Sequence, residues 1–163
     1  MREGAAMFFK NVLVPYDESE HALSALHIAF GMVGGDPEAT IHVVTVVAAG
    51  PLASPTLSSD AFDAPDNLSE ELESDGIMGP ALHRMRTEIQ HVVDDARDDA
   101  SCQIVTSAAL SGSPVEGIAE YVDNHNIDLV VMGRRGLGAL RGMLGSVSFG
   151  VLRSVDVPVL TVK

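Results

Sequence analysis

The chain has 163 residues, of which 46% are apolar and only 4% aromatic, a composition that suits one compact domain with an aliphatic core. Its 23 acidic residues outnumber its 10 basic residues and give a formal net charge of −13, which disfavours binding to duplex DNA and to anionic membranes. Only two of the ten basic residues are lysines, Lys10 and Lys163. Many acids with few lysines are typical of proteins adapted to high salt, and an ordinary acidic protein is an equal alternative.

Cysteine, histidine and apolar runs narrow the class further. Cys102 is the only cysteine, which excludes an intrachain disulfide and a cysteine-based metal site. Neither a membrane-spanning apolar run nor the pattern of a secretory signal is present, so we expect a cytoplasmic protein. The histidines lack metal-site spacing and are expected at the surface or at its boundary. They are His21, His27, His42, His83, His91 and His125.

Apolar runs alternate with stretches of helical periodicity along the chain. Buried strands are predicted at residues 11–16, 40–47, 102–109, 128–132 and 157–162. Helices are predicted at residues 21–33, from 79 to about 100, from 114 to about 125 after the N-cap Ser113, and at 146–154. This order predicts an α/β fold, with a mostly parallel sheet and helices on both faces, as a single domain over residues 1–163.

Residues 48–75 differ from the rest in composition. They combine three prolines with serines and a run of acids, and they lack a sustained apolar period. A connection of this length inside a compact domain is usually functional or disordered. We therefore expect a long mobile loop or lid.

The stretch from Leu129 to Val155 has an unusual charge. It contains four arginines and no acid, although 23 acids spread evenly over 163 residues would place three or four there. Its loop is rich in glycine and leads to a predicted helix start at Gly145-Ser146-Val147-Ser148. Free N–H groups at a helix start, together with hydroxyls and arginines, indicate a site for a phosphate-bearing ligand. The alternative is a loop kept flexible by glycine, with solvated arginines.

Two common phosphate motifs are excluded in this stretch. A Walker A loop requires a lysine, and none is present. A dinucleotide fingerprint would require glycine where Arg141 stands and an acid some 20 residues further on. P-loop chemistry and hydride transfer are therefore disfavoured.

Asp17 follows the first predicted strand directly. Ligands of open α/β sheets bind beyond the carboxyl ends of the strands, where the winding direction reverses. A carboxylate at that position can accept hydrogen bonds from ribose hydroxyls. Asp17 with Glu20 is equally compatible with a helix-capping box, so both interpretations stay open.

Taken together, these segments resemble the universal stress protein family. The resemblance rests on Val12–Ser19, Ser111–Pro114 with Ile118, Val131–Gly136, Gly145–Ser148 and Val157–Leu160, and it leaves only the 48–75 loop without a counterpart. It implies a five-stranded parallel sheet in the order 3-2-1-4-5 and a homodimer formed through the C-terminal strand 157–162. The ATP-binding branch has the loop Gly-x2-Gly-x9-Gly-Ser/Thr. Here eight residues instead of nine separate Gly136 from Gly145, which is expected to shift the turn that presents Gly145.

The resemblance also implies a ligand, ATP or a related adenine nucleotide, and leaves open whether Mg²⁺ accompanies it. The residues around the adenine and ribose would be Pro15, Tyr16, Asp17 and Val46. Those flanking the ribose and first phosphates would be Met132, Gly133, Arg135 and Gly136. Those holding the remaining phosphates would be Gly145, Ser146, Val147 and Ser148. Val46 and Met132 also fit a purely structural role in the core.

The expected function is that of a nucleotide-binding, dimeric regulatory protein of the stress response. One alternative is a dimeric interaction or chaperone-like module of the same fold with a vestigial pocket. Another is an enzyme of a related nucleotide-using family, such as an adenylylating one. No nucleophile–base pair stands out, so no catalytic residue is assigned, and slow ATP hydrolysis or autophosphorylation is the most we expect.

Overall fold

The fold follows the alternation of strands and helices predicted from the sequence. A computed structural model describes residues 8–48, 79–136 and 144–163, so the predicted loop at 48–75 lies outside the described residues apart from Ala48. The strands are β1 (Asn11–Pro15), β2 (Thr40–Ala48), β3 (Gln103–Ser111), β4 (Leu129–Gly133) and β5 (Val159–Val162). The helices are α1 (Glu20–Val33), α2 (Gly79–Ala96), α3 (Pro114–Asn124) and α4 (Ser146–Ser154).

The strands form one parallel sheet in the order β3-β2-β1-β4-β5, which confirms the expected topology. In the register of the central strand, Val12 lies opposite Ile41 of β2 and Leu129 of β4. The chain winds from β1 towards β3 on one side and then returns to β4 and β5 on the other. The winding direction therefore reverses between β1 and β4.

Alternate residues of β1 enter two separate cores, one on each face of the sheet. Val12 and Val14 pack against α1 and α2, whereas Leu13 packs against α3 and α4. All three side chains are fully buried. This double burial explains why the strand is a continuous apolar run in the sequence.

Several predicted element ends differ from the structure by one to four residues, and two of these differences have a clear physical reason. α2 ends at Ala96 and not near residue 100, because Asp98 adopts a left-handed conformation with φ 42°, which an α-helix cannot continue. β5 begins at Val159 and not at residue 157, because Pro158 has no N–H to donate. The carbonyl of Pro158 still accepts a hydrogen bond of 3.0 Å from Val130 N–H of β4.

The expectation that all six histidines lie at the surface or its boundary is wrong for His42. His42 is 7% exposed, because it lies on the same face of β2 as Val44, in the core beneath α3. Its Nδ1 shares a hydrogen bond of 2.8 Å with the hydroxyl of Tyr121, whose ring stacks on His125. Burial, and to a lesser degree the charge of His125, lowers the pKa of His42 to about 4.

This buried imidazole predicts acid sensitivity. Between pH 6.5 and pH 4 the unfolded chain binds a proton at residue 42 that the folded chain does not bind, so stability falls as the pH falls. The full effect of such a shift is about 3 kcal/mol. In H42F, urea unfolding across this pH range should therefore show a smaller loss of stability than in the wild type. The exposed His91 provides the control H91Q, which should keep the wild-type pH dependence; an equal pH dependence of H42F and wild type would contradict the assignment.

Candidate functional site

The carboxyl ends of β1, β2 and β4 open onto a cavity of about 530 Å³. The N-terminal ends of α1, α3 and α4 surround it, because each of these helices follows one of the strands or packs beside its end. The cavity thus lies where the winding direction of the sheet reverses. Its volume is in the ordinary range for small-molecule sites.

All twelve residues that the sequence comparison with the family singled out line this one cavity. They are Pro15, Tyr16, Asp17, Val46, Met132, Gly133, Arg135, Gly136, Gly145, Ser146, Val147 and Ser148. The structure brings five further residues to the same cavity, namely Ala22, Val44, Pro114, Ile118 and Leu144. Val44 lies two residues before Val46 on the same face of β2, and Ile118 lies one helical turn after Pro114. The periodicity of strand β2 and helix α3 therefore predicts that Val44 and Ile118 face the same cavity.

One wall of the cavity is apolar. Val44 and Val46 come from β2, Ile118 from α3 and Met132 from β4. Val44, Ile118 and Met132 are also members of the core between the sheet and α3–α4. Met132 is therefore a core residue that also lines the cavity, and this wall presents an apolar surface.

Asp17 lies at the opposite side, in the turn between β1 and α1. The helix-capping interpretation of Asp17 is wrong, because α1 is capped by Ser19, whose hydroxyl oxygen accepts a hydrogen bond of 3.1 Å from the Ala22 N–H. Asp17 Oδ1 instead accepts hydrogen bonds from the N–H and the hydroxyl of Ser19. Its other oxygen, Oδ2, lies against Gly136. The carboxylate is thereby oriented at the edge of the cavity.

Two glycines are required by close packing at this edge. A side chain at Gly133 would place its Cβ 2.8 Å from His21 Cβ and 3.0 Å from the backbone nitrogen of Ala22 in the first turn of α1. A side chain at Gly136 would collide with the carboxylate of Asp17. The glycines that suggested a phosphate loop therefore also allow β4 and its loop to lie directly against the β1–α1 turn.

The N-terminus of α4 differs from those of α1 and α3. Serine side chains cap α1 and α3, whereas the N-cap of α4 is Gly145, and no side-chain cap hydrogen bond forms there. The first bond within the helix joins Phe149 N–H to Gly145 O at 3.0 Å. The N–H groups of residues 146–148 precede that bond and lie at the cavity, where the helix dipole favours an anion.

Of the residues that the structure describes, the charged ones that line the cavity are Asp17 and Arg135. Arg134 and Arg153 do not line it, and the guanidinium of Arg153 lies 5.6 Å from the centre of the Phe149 ring. Tyr16 contributes a neutral phenol, since burial, with smaller effects of the charges on Glu18 and Asp17, raises its pKa. Among the described residues, Arg135 and the N-terminus of α4 therefore supply positive potential to a cavity that also contains the carboxylate of Asp17.

Metal-ligand clusters and membrane-spanning helices are both absent from the described residues. Within residues 8–48, 79–136 and 144–163, no three histidine, cysteine, aspartate or glutamate side chains are placed to hold a metal ion. In the same ranges no helix has the length and apolar character that crossing a bilayer demands.

The fold and this crevice define a doubly wound α/β protein whose cavity lies at the switch point of its sheet. Residues 8–163 match the universal stress protein family, and the chain belongs to that family. A universal stress protein of Thermus aquaticus, encoded in the 3′ region of a QAH/OAS sulfhydrylase, is 30% identical over 159 residues, which cover 95% of this chain and 99% of that protein.

Solved structures have the same fold. The universal stress protein UspA from Lactobacillus plantarum superimposes with a TM-score of 0.65 at 26% identity, over 95% of this chain and 98% of that one. A universal stress protein solved in complex with cAMP gives a TM-score of 0.63 at 21% identity, over 94% of this chain and 96% of that one.

The contact between β4 and α1 predicts that Gly133 is essential for stability. G133A should lower the free energy of unfolding by about 2 kcal/mol, because the new Cβ meets backbone atoms of α1 that cannot move independently. The matched control is G31A, since Gly31 lies on α1 with open space around it, and alanine there should raise helix stability by about 1 kcal/mol. Denaturant unfolding measures both, and a stability of G133A equal to wild type would contradict the packing described.

Proposed function

We propose that this protein binds an adenine nucleotide, ATP or a related one, in the cavity between β1 and β4, and that it acts as a regulatory protein of the stress response. The observation that carries the proposal is the pairing, in one cavity, of an apolar wall with an uncapped helix N-terminus and Arg135. A nucleotide has the same division, because its base is flat and weakly polar and its phosphates are anionic. No residue is proposed as a catalyst.

The lining suggests an orientation for the ligand. The base would lie against Val46 and Met132, and the ribose hydroxyls would donate to Asp17, whose Oδ1 is held by Ser19. The phosphates would extend to the N–H groups of α4 and to Arg135, since guanidinium groups pair well with phosphate oxygens. An accompanying Mg²⁺ would bind through the phosphates.

The comparisons add support of a general kind. One solved structure of the same fold is described as a complex with cAMP, which is itself an adenine nucleotide. At 21% identity that structure supports the fold of this chain, and the choice of ligand rests on the lining residues described above.

A vestigial pocket in an interaction or chaperone-like module is the second candidate function. The observation that favours it is the eight-residue spacing between Gly136 and Gly145, one residue shorter than the motif of the ATP-binding branch. Mass spectrometry of the small molecules released when the purified protein is denatured separates the two. A released adenine nucleotide supports the first function, whereas its absence, together with no heat on titration with ATP, supports the second.

The proposed phosphate contact predicts unequal effects of two arginines. Neutralising Arg135 in R135Q should weaken ATP binding about tenfold in a calorimetric titration, as expected for the loss of one charge-assisted contact. R153Q is the matched control, because Arg153 belongs to the same acid-free stretch but lies over Phe149, away from the cavity lining. Equal effects of the two substitutions would contradict the assignment.

We also propose a homodimer that forms through the C-terminal strand. β5 is the last strand of the sheet in the described residues, and Leu160 on it is 39% exposed. The carbonyls of Pro158 and Val162 point towards β4, where they accept from Val130 and Arg134 N–H. Because parallel strands alternate, the N–H groups of residues 159 and 161 point away from β4, towards a second copy.

This geometry predicts that Thr161 can be changed without disturbing the β4–β5 pairing. T161P removes an outward N–H, which proline tolerates on an edge strand, and should reduce the mass measured by light scattering from that of a dimer to that of a monomer. T161V keeps the N–H and should remain dimeric. The light scattering is to be measured at high salt, because salt screens the repulsion between two copies of charge −13. High salt is also the condition in which the protein would function if it is salt-adapted, as we propose. A monomeric wild type under these conditions would contradict the dimer.

A further inference from the structure

We propose that Ser148 is a positioning residue, whose buried hydroxyl fastens the end of β4 to the start of α4 and thereby shapes the phosphate half of the cavity. Ser148 would then act on the phosphates through the backbone and not through its own hydroxyl. The effect of Ser148 on phosphate binding rests on the proposed nucleotide function, whereas its hydrogen bonds are a property of the free protein.

Hydrogen bonds join the residues before position 137 to those after position 143. The hydroxyl of Ser148 donates to Gly133 O at 3.0 Å and to Arg134 O at 2.9 Å. Gly145 N–H donates to the same Arg134 O at 2.9 Å. Arg134 N–H in turn donates to Val162 O of β5 at 2.6 Å. We call Gly133, Arg134, Gly145 and Ser148 the clasp.

The hydroxyl of Ser148 has no proton left for a phosphate oxygen. It carries one hydrogen, which the two carbonyls share, and the residue is only 2% exposed. Turning that hydrogen towards a ligand would take a hydrogen bond from both carbonyls in a buried environment, which is costly. If the hydrogen did not turn, the hydroxyl oxygen would direct its lone pairs at the phosphate oxygens and repel them.

The clasp determines where the anion-binding groups stand. It places Gly145 so close to the chain after β4 that a Cβ on Gly145 would lie 3.3 Å from Arg135 Cα and 3.5 Å from Ser148 Oγ. Arg135 and the first turn of α4 are therefore held side by side, whatever path residues 137–143 take. Without the hydroxyl, Gly133 O and Arg134 O each lose one hydrogen bond and only the bond from Gly145 N–H remains, so the start of α4 is held less firmly against the end of β4.

The test compares S148A with S154A, each prepared as the full chain. Ser154 is a matched control, because it lies on the same helix and its exposed hydroxyl donates to Gly150 O at 2.8 Å, away from the cavity lining. Two readouts are needed. One is the hydrogen exchange rate of the Gly145 amide in the ligand-free protein, and the other is the affinity for ATP beside that for adenosine, which lacks phosphates.

For S148A we expect Gly145 exchange to accelerate about tenfold, ATP affinity to fall about tenfold and adenosine affinity to stay unchanged, the size expected when one buried hydrogen bond is lost. S154A should match the wild type in all three. S148T retains the hydroxyl and should keep wild-type protection of Gly145, which separates loss of the hydrogen bond from general loosening of the fold.

Two results would overturn the proposal. Unchanged Gly145 exchange in S148A with weakened ATP binding would make Ser148 a direct ligand, and an equal loss of ATP and adenosine affinity would make its role purely structural. If the wild type binds neither ligand, the proposed function fails, whereas the clasp is still decided by the Gly145 exchange rate alone.

Discussion

The cavity depends on the parallel pairing of β1 with β4. The paired positions are 117 residues apart in the chain, yet Val12 and Leu13 lie in register with Leu129 and Val130. Because the strands are parallel, their carboxyl ends reach the same edge of the sheet. That edge brings Asp17 and Gly136 into contact, and it sets α1 and α4 on either side of the crevice. A shift of this register would separate the carboxylate from the arginine and from the helix end that faces it.

Charge is segregated around this pairing. The chain carries −13 overall, yet the 27 residues from Leu129 to Val155 contain no acid. At the cavity, positive potential comes from Arg135 and from the peptide dipoles of α4, whose N-cap Gly145 provides no competing side chain. The net negative charge disfavours contact with nucleic acid and anionic membranes, and the local positive potential at the cavity is what the proposed binding of a small polyanion requires. Two of the glycines in this stretch allow the close approach on which that complementarity depends.

Much of the architecture was predictable because short apolar runs alternate with amphipathic stretches, and the family motifs then gave the strand order. The twelve lining residues were implied by the family resemblance, and they meet in one cavity because the carboxyl ends of parallel strands reach the same edge of the sheet. The expectations drawn from the sequence were wrong where the partners of a side chain decide its position. Asp17 was one candidate for the helix cap, but Ser19 caps α1, after Glu18 in a left-handed conformation with φ 64°, and Asp17 accepts from Ser19. His42 was expected at the surface or its boundary although it lies inside a run of strand-forming residues, because a polar ring is buried only when a partner such as Tyr121 reaches it from a distant helix.

The central claim is that this cavity accepts a polyanion through the N-terminus of α4. The most direct measurement is a crystal structure of the protein soaked with ATP, combined with thermal unfolding in its presence. We expect phosphate density within hydrogen-bond distance of the N–H groups of residues 146–148, with Arg135 beside it, and a rise in unfolding temperature that grows with ATP concentration. Solvent alone beside Gly136 and Ser146, with an unchanged unfolding temperature, would contradict it.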